Sequence, residues 1–140
     1  MAVTKKIKTL EDRIAYRIAR SKGEVFMRKD FSDIADYDQV GRSLRQLVKK
    51  GKIVKIGYGL YAKAGVSPLS NRIVPRRGLR DLATEALNKL KVEVAPSSYD
   101  RAYNEGKTSQ IPTGRVIGVK GRVVRKIGYD GKYVTFEHIS

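Results

Sequence analysis

Between Gln39 and Lys50 the chain sets Gln39, Arg42, Arg45, Gln46 and Lys49 against Val40, Leu44, Leu47 and Val48. The apolar four recur at i, i+4, i+7 and i+8, which is one face of an α-helix, and the polar residues fall opposite them. Guanidinium and amide groups have a defined chemistry with base pairs. Arg donates two hydrogen bonds to guanine O6 and N7, and Gln pairs with adenine N6 and N7, both in the major groove. Side chains nearest the N-terminus of such a helix reach deepest. Gln39, Arg42 and Gln46 are therefore candidate base readers, with Ser43 at their flank, and Arg45 and Lys49 are candidate phosphate ligands.

The same residue types also make good helices on any solvated face, so their surroundings matter. A turn precedes the helix. A short basic hairpin follows it, carrying Lys52, Lys55 and Lys63, with Tyr58 between two glycines. Arg28 and Lys29 stand just before a short helical segment, where its N-terminus could face a phosphate. Arg76, Arg77 and Arg80 lead into the second half. Lys52, Lys55, Tyr58, Arg28, Lys29, Arg76, Arg77 and Arg80 are further candidate phosphate contacts. Lys5, Lys6 and Lys8 form a basic arm that either tracks a groove or stays in solvent.

Other chemistry is missing. There is no cysteine and one histidine, His138, the third residue from the end. A lone terminal His supplies neither a metal site nor a nucleophile–His–acid triad. Gly114–Gly121 is glycine-rich but lacks the GxxxxGK[ST] order that cradles a phosphate. No catalytic residue, metal or cofactor is expected, and the chain does not read as an enzyme.

Charge points the same way. Thirty Lys and Arg against fourteen Asp and Glu give a formal net charge of +16. Residues 1–70 hold 16 basic and 7 acidic side chains, and residues 71–140 hold 14 and 7. The excess is thus spread over a chain that, at 41% hydrophobic, is able to bury a core. A chain this basic repels itself, and a polyanionic partner resolves the repulsion. No apolar run is long enough to span a membrane, and the basic start has no apolar stretch after it, so no signal peptide is read. The expected location is the cytoplasm, at the nucleoid.

The elements that must carry these residues follow from caps and periodicity. Thr9 caps a helix to about Ser21, with Ile14 and Ile18 inward. Val25–Met27 reads as a short strand, Asp30 as the cap of a helix over Phe31–Ala35, and Asp38 as the cap of the helix from Gln39 to Lys50, stopped by Gly51. Strands over Lys52–Ile56 and Leu60–Lys63 complete a winged helix-turn-helix plan. Gly, Ser, Pro and Asn over 64–78 read as a linker. Beyond it come a helix over Leu79–Lys91, a strand over Val92–Ala95, a short helix over Tyr99–Asn104 and a polar loop from Lys107 to Gly114. Strands over Arg115–Val119, Arg122–Ile127 and Lys132–Glu137 follow, the last two joined at Asp130-Gly131, a strong hairpin signal. The expected fold class is α+β. It divides into an arm at 1–8, a winged helix at 9–63, a linker at 64–78 and a small α+β domain with an antiparallel hairpin at 79–140.

The runs Gly23–Phe31, Val40–Ile53 and Gly57–Tyr61 resemble the N-terminal winged helix of the abortive-infection type IV antitoxin family. That family shows a G-x-V-F strand, a helix of the L-x-x-L-x-x-x-G-x-I kind and a G-x-Y wing. Leu90–Ser97 and Gln110–Gly114 resemble the short domain that follows in such proteins. The resemblance implies a repressor of its own promoter and a protein opposing a cognate toxin. The family's antitoxins usually carry a longer C-terminal region, in which the antitoxic activity lies.

Three functions follow as expectations. The first is a sequence-specific double-stranded DNA-binding repressor or autoregulator of antitoxin type. The second is a nucleic-acid binder without sequence reading, RNA- or ribosome-associated, with Arg115, Lys120, Arg122, Arg125 and Lys126 as a phosphate track. The third is an antitoxin that binds its toxin protein through the second half. Two half-sites would need two readers, so a homodimer suits the first.

Overall fold

The computed structural model describes residues 9–107, 115–123 and 125–139. The basic arm at 1–8, the polar loop beyond Lys107 through Gly114, and Val124 in the expected Arg122–Ile127 strand lie outside them. The fold is mixed α+β, with four α-helices and several small sheets among the described residues. It divides into two compact units. One runs to Lys55 and resumes over Gly59–Arg76, and the other holds Ile56–Tyr58 and the residues from Arg77 onward.

The first unit opens with α1 (Leu10–Arg20), whose Thr9 hydroxyl accepts from the Asp12 N–H. A short strand, β1 (Val25–Phe26), and a single 3₁₀ turn (Arg28–Phe31) lead to α2 (Tyr37–Lys49). Then come β2 (Ile53–Gly57), β3 (Leu60–Val66) and β4 (Ile73–Pro75). Ile14, Ile18, Phe26, Phe31, Val40, Leu44, Leu47, Ile53 and Tyr61 form one buried cluster. Each such side chain removed from water is worth about 1.5–3 kcal/mol, which fixes the apolar side of α2 inward and leaves its polar side out.

Three local expectations are corrected here. Phe31–Ala35 is not a helix. The Asp30 carboxylate accepts from the Met27 N–H at 2.8 Å and closes a 3₁₀ turn behind itself. Arg17 then holds the next segment, donating to the Asp30 carbonyl and to both oxygens of Asp33. Helix α2 is capped by Asp36, not Asp38. The Asp36 carboxylate accepts from the Gln39 N–H at 2.8 Å, and Asp38 falls in the first helical turn. Residues 64–75 are not a linker either. Strand β3 continues to Val66 and pairs with β4 in antiparallel register, Ala64 with Pro75 and Val66 with Ile73.

Strand β3 is the centre of this sheet, with β2 on one side and β1 on the other. The Lys63 N–H goes to the Glu24 carbonyl, and the Lys63 carbonyl accepts from Arg76. Both groups of one strand residue point the same way, so β1 and β4 lie end to end along one edge of β3.

The second unit contains α3 (Leu79–Lys89), β5 (Val94–Ala95), α4 (Ser98–Asn104), β6 (Val116–Val119), β7 (Gly128–Tyr129), β8 (Lys132–Tyr133) and β9 (Thr135–His138). Leu82, Ala83, Ala86 and Leu87 of α3 are buried, as are Ile117, Val119, Ile127 and Val134. Helix α3 ends two residues before the expected Lys91, because Lys91 takes φ 62° and Val92 turns back to the Leu87 carbonyl.

The Asp130-Gly131 turn forms with φ 55° and 77°, the paired positive values of a two-residue hairpin turn. Its strands are shorter than expected, Gly128–Tyr129 against Lys132–Tyr133. The described residues of Arg122–Ile127 have no regular structure. The expected Lys132–Glu137 strand breaks at Val134, and its second part, β9, pairs in parallel with β6.

Candidate nucleic-acid interface

Helix α2 presents its polar residues as two overlapping stripes at helical spacing. Gln39, Arg42 and Gln46 form one, and Arg42, Arg45 and Lys49 the other, all exposed. At about 1.5 Å rise per residue the first stripe spans roughly 10 Å along the axis, about the height of three stacked base pairs. Among the described residues, no side-chain hydrogen bond or ion pair engages Arg42, Arg45, Gln46 or Lys49. Their donors are available to a ligand without breaking an existing bond. Lys50, at the end of the helix, is spent on Glu11.

The helix stops cleanly. Gly51 takes φ 72°, and the Lys52 N–H reaches back to the Leu47 carbonyl at 2.9 Å. Lys52 and Lys55 follow on the exposed side of the chain, since Ile53 and Ile56 take the buried positions between and beyond them.

Several candidates are placed differently from expectation. Ser43 is only 8% exposed and lies on the buried side of α2 among Val40, Leu44 and Leu47. It is therefore not a base-reading residue: position 43 precedes Leu44 and follows Val40 by three, so it shares their face. Arg28 is turned onto the helix. Its guanidinium lies 4.3 Å over the Tyr37 ring and donates to the Tyr37 carbonyl. Lys63 is buried, with its ammonium on the Ser21 carbonyl. Arg76 pairs with Glu24 at 3.2 Å, and Glu24 is itself buried. These cations hold the first unit together, and only the exposed part of Arg76 remains outward. Lys29 is exposed beside Arg28.

In the second unit, Tyr58 is 80% exposed, and its carbonyl accepts from Arg125 at 2.6 Å. The ring is thus outward while the backbone behind it is held. Arg77 is exposed. Arg80 is engaged inside the second unit. It donates to Asp100 at 2.9 Å and to the Val116 carbonyl, tying α3 to α4 and β6. Burial pushes the Asp100 carboxyl up, but Arg80 and the Ser97 N–H and hydroxyl together bring it below the usual carboxylate range. Of the cations in the alternative phosphate track, Lys120 pairs with Glu93, and Lys126 lies over the Tyr133 ring at 5.7 Å.

The sequence carries one further signal of charge. From Gln39 to Arg80 there is no Asp or Glu, while Arg42, Arg45, Lys49, Lys50, Lys52, Lys55, Lys63, Arg72, Arg76, Arg77 and Arg80 supply eleven cations. The chain's acids flank this run at Asp38 and Asp81. Charge counted by halves hides it.

Compared with protein-family models, curated proteins and solved structures, the chain matches none.

One other feature carries less. A shallow cleft of about 380 Å³ beside α1 is lined by Arg13, Tyr16, Arg17, Arg20, Ser21 and Ile34. Arg17 there is engaged with Asp33, and Arg20 donates to the Tyr16 hydroxyl at 2.6 Å. Arg17 holds the Asp33 carboxyl down at about 2, against a smaller effect of desolvation. Among the described residues no group of three His, Cys, Asp or Glu could hold a metal ion. No described helix is long and apolar enough to cross a membrane.

Proposed function

We propose that this chain binds double-stranded DNA through a winged helix-turn-helix in its first half, with α2 in the major groove. Gln39, Arg42 and Gln46 read base edges. Arg45, Lys49, Lys52 and Lys55 neutralise phosphates. The supporting observation is the exposed, unengaged polar face of α2 at the start of a forty-two-residue run without an acid. A polyanion is the partner such a run attracts, and the pairing of Arg and Gln at helical spacing suits base edges more than phosphates alone.

The biological role is that of a transcriptional repressor, of the antitoxin-like kind that the resemblance implies. Dimerisation on a two-fold operator belongs to the same proposal; binding of a toxin protein by the second half is the alternative reading. The test is competition at a stated salt concentration between a selected duplex, a random duplex and a structured RNA. The expected order is selected duplex first by at least about 10³-fold over random duplex, the lower end for specific binders. Equal binding to all three contradicts base reading, and a preference for the RNA contradicts the duplex assignment.

A further inference from the structure

The hairpin formed by β3 and β4 ends in an apolar tip. Leu69 is 97% exposed, and behind it the cross-strand pair Val66 and Ile73 is 60% and 48% exposed. Single exposed aliphatics are ordinary on a protein surface. Three on one hairpin, with the most exposed at its apex beside Pro68, are a shaped feature.

Two backbone hydrogen bonds close the tip. The Ser67 N–H donates to the Arg72 carbonyl at 2.9 Å and the Asn71 N–H to the Ser67 carbonyl at 2.8 Å. Asn71 takes φ 59°, a value Asn tolerates better than most residues. The base of the arm is fixed as well, since Ile73 lies beside Gly51 at the C-terminal end of α2. The arm is therefore anchored within the same unit as the proposed reading helix.

We propose that this arm is a wedge: Leu69, with Pro68, enters a groove of the bound duplex, opens a base step and kinks the DNA. The inference rests on the duplex-binding reading above. Apolar side chains used in this way unstack a step and bend DNA by roughly 20–90°. Two observations favour DNA over a second copy of the chain. The whole arm lies inside the stretch of sequence without an acid, in a chain of net charge +16, so it approaches a polyanion more readily than another copy of the chain. Three aliphatic side chains also offer far less than the roughly 800 Å² per partner that a stable protein interface buries.

The experiment uses the full chain and a selected duplex carrying 2-aminopurine at successive positions. End-labelled versions of the same duplex report the bend by energy transfer. The wild type is expected to raise 2-aminopurine emission at one or two adjacent steps and to shorten the end-to-end distance. Leu69→Ala, whose side chain touches little in the free protein, is expected to remove the emission rise and most of the bend while α2 still selects the same sequence. Leu69→Met is expected to restore both. A wild type that binds the selected duplex without local emission, or a Leu69→Ala variant that kinks it as well as the wild type, overturns the wedge and leaves the duplex reading intact. A Leu69→Ala variant that turns a dimer into a monomer in sedimentation, with the kink unchanged, also overturns it and assigns the arm to a second copy. A wild type that binds no duplex overturns both inferences together.

Discussion

Arg28 fills the space that Gly41 leaves by having no side chain: a Cβ at position 41 would stand 2.3 Å from the Arg28 Cζ. The glycine lets the guanidinium lie along α2 and over Tyr37, and so decides where a cation expected at the phosphate backbone spends its charge.

Gly41→Ala therefore carries two opposing effects. Replacing a helix-interior Gly by Ala is worth about 1 kcal/mol. Displacing Arg28 from the Tyr37 ring gives up about 0.5–1 kcal/mol. Because the obstructing atoms are the far end of a flexible side chain, Arg28 can swing away. The expected outcome in urea unfolding is a midpoint close to wild type, and Arg28→Ala should cost stability only when Gly41 is present. A Gly41→Ala variant that fails to fold contradicts this relationship.

Gly118 and Gly128 are a different case. A Cβ at 118 would lie 2.4 Å from the Ala95 carbonyl oxygen, and one at 128 would lie 2.0 Å from the Lys132 carbonyl oxygen. Here the obstacle is paired backbone, which has nowhere to go. Either substitution by Ala should cost about 1–3 kcal/mol or more, the range for overpacking. Denaturant titration of the two variants beside Gly41→Ala checks the ranking.

Base reading and phosphate binding separate by substitution. Arg42→Ala should cost about 1–3 kcal/mol on the preferred duplex and relax the choice at one position. Lys49→Ala should weaken all duplexes alike and reduce the slope of log K against log salt by about 0.9. Ser43→Ala should change neither, because the side chain is buried. A specificity change in Ser43→Ala, or none in Arg42→Ala, would reverse the assignment of the α2 faces.

Much of this was legible where the cause is local. Thr9, Gly51 and Asp130-Gly131 act within a turn of themselves, and α1, the end of α2 and the second hairpin appear where those residues place them. Long-range pairing was not legible. Ser67, Pro68, Ser70 and Asn71 read as a flexible connection, yet Val66 and Ile73 pair across them. The parallel pairing of Thr135–His138 with Val116–Val119 joins segments nearly twenty residues apart and leaves no periodic mark. Within the candidate interface, helical spacing located Gln39, Arg42, Arg45, Gln46 and Lys49 on an exposed face. It could not foresee that Glu24 engages Arg76 or that Asp100 engages Arg80, because those partners come from other elements.

Acid should weaken the fold through three carboxylates. The Arg17 side chain holds Asp33 at about 2, hydrogen bonds from the Ser98 hydroxyl and N–H lower Glu137, and Arg80 with Ser97 outweighs burial to lower Asp100. In the unfolded chain an Asp titrates near about 3.9 and a Glu near about 4.3. Folded values below these mean that the stabilisation is complete above the unfolded values and is lost as pH falls through the folded ones. Melting temperature should thus hold from pH 7 to about 5 and decline from there toward pH 2. Arg17→Gln should make the decline shallower. A melting temperature that stays level down to pH 2 would contradict the depressed values.

The most direct measurement is selection of bound duplexes from a random pool, run in parallel with the wild type and with a protein carrying Arg42→Ala and Gln46→Ala. The wild type is expected to enrich one short motif, with guanine or adenine fixed at positions that lose their preference in the double variant. If the wild type enriches no motif, or both proteins enrich the same one with the same preferences, α2 does not read DNA.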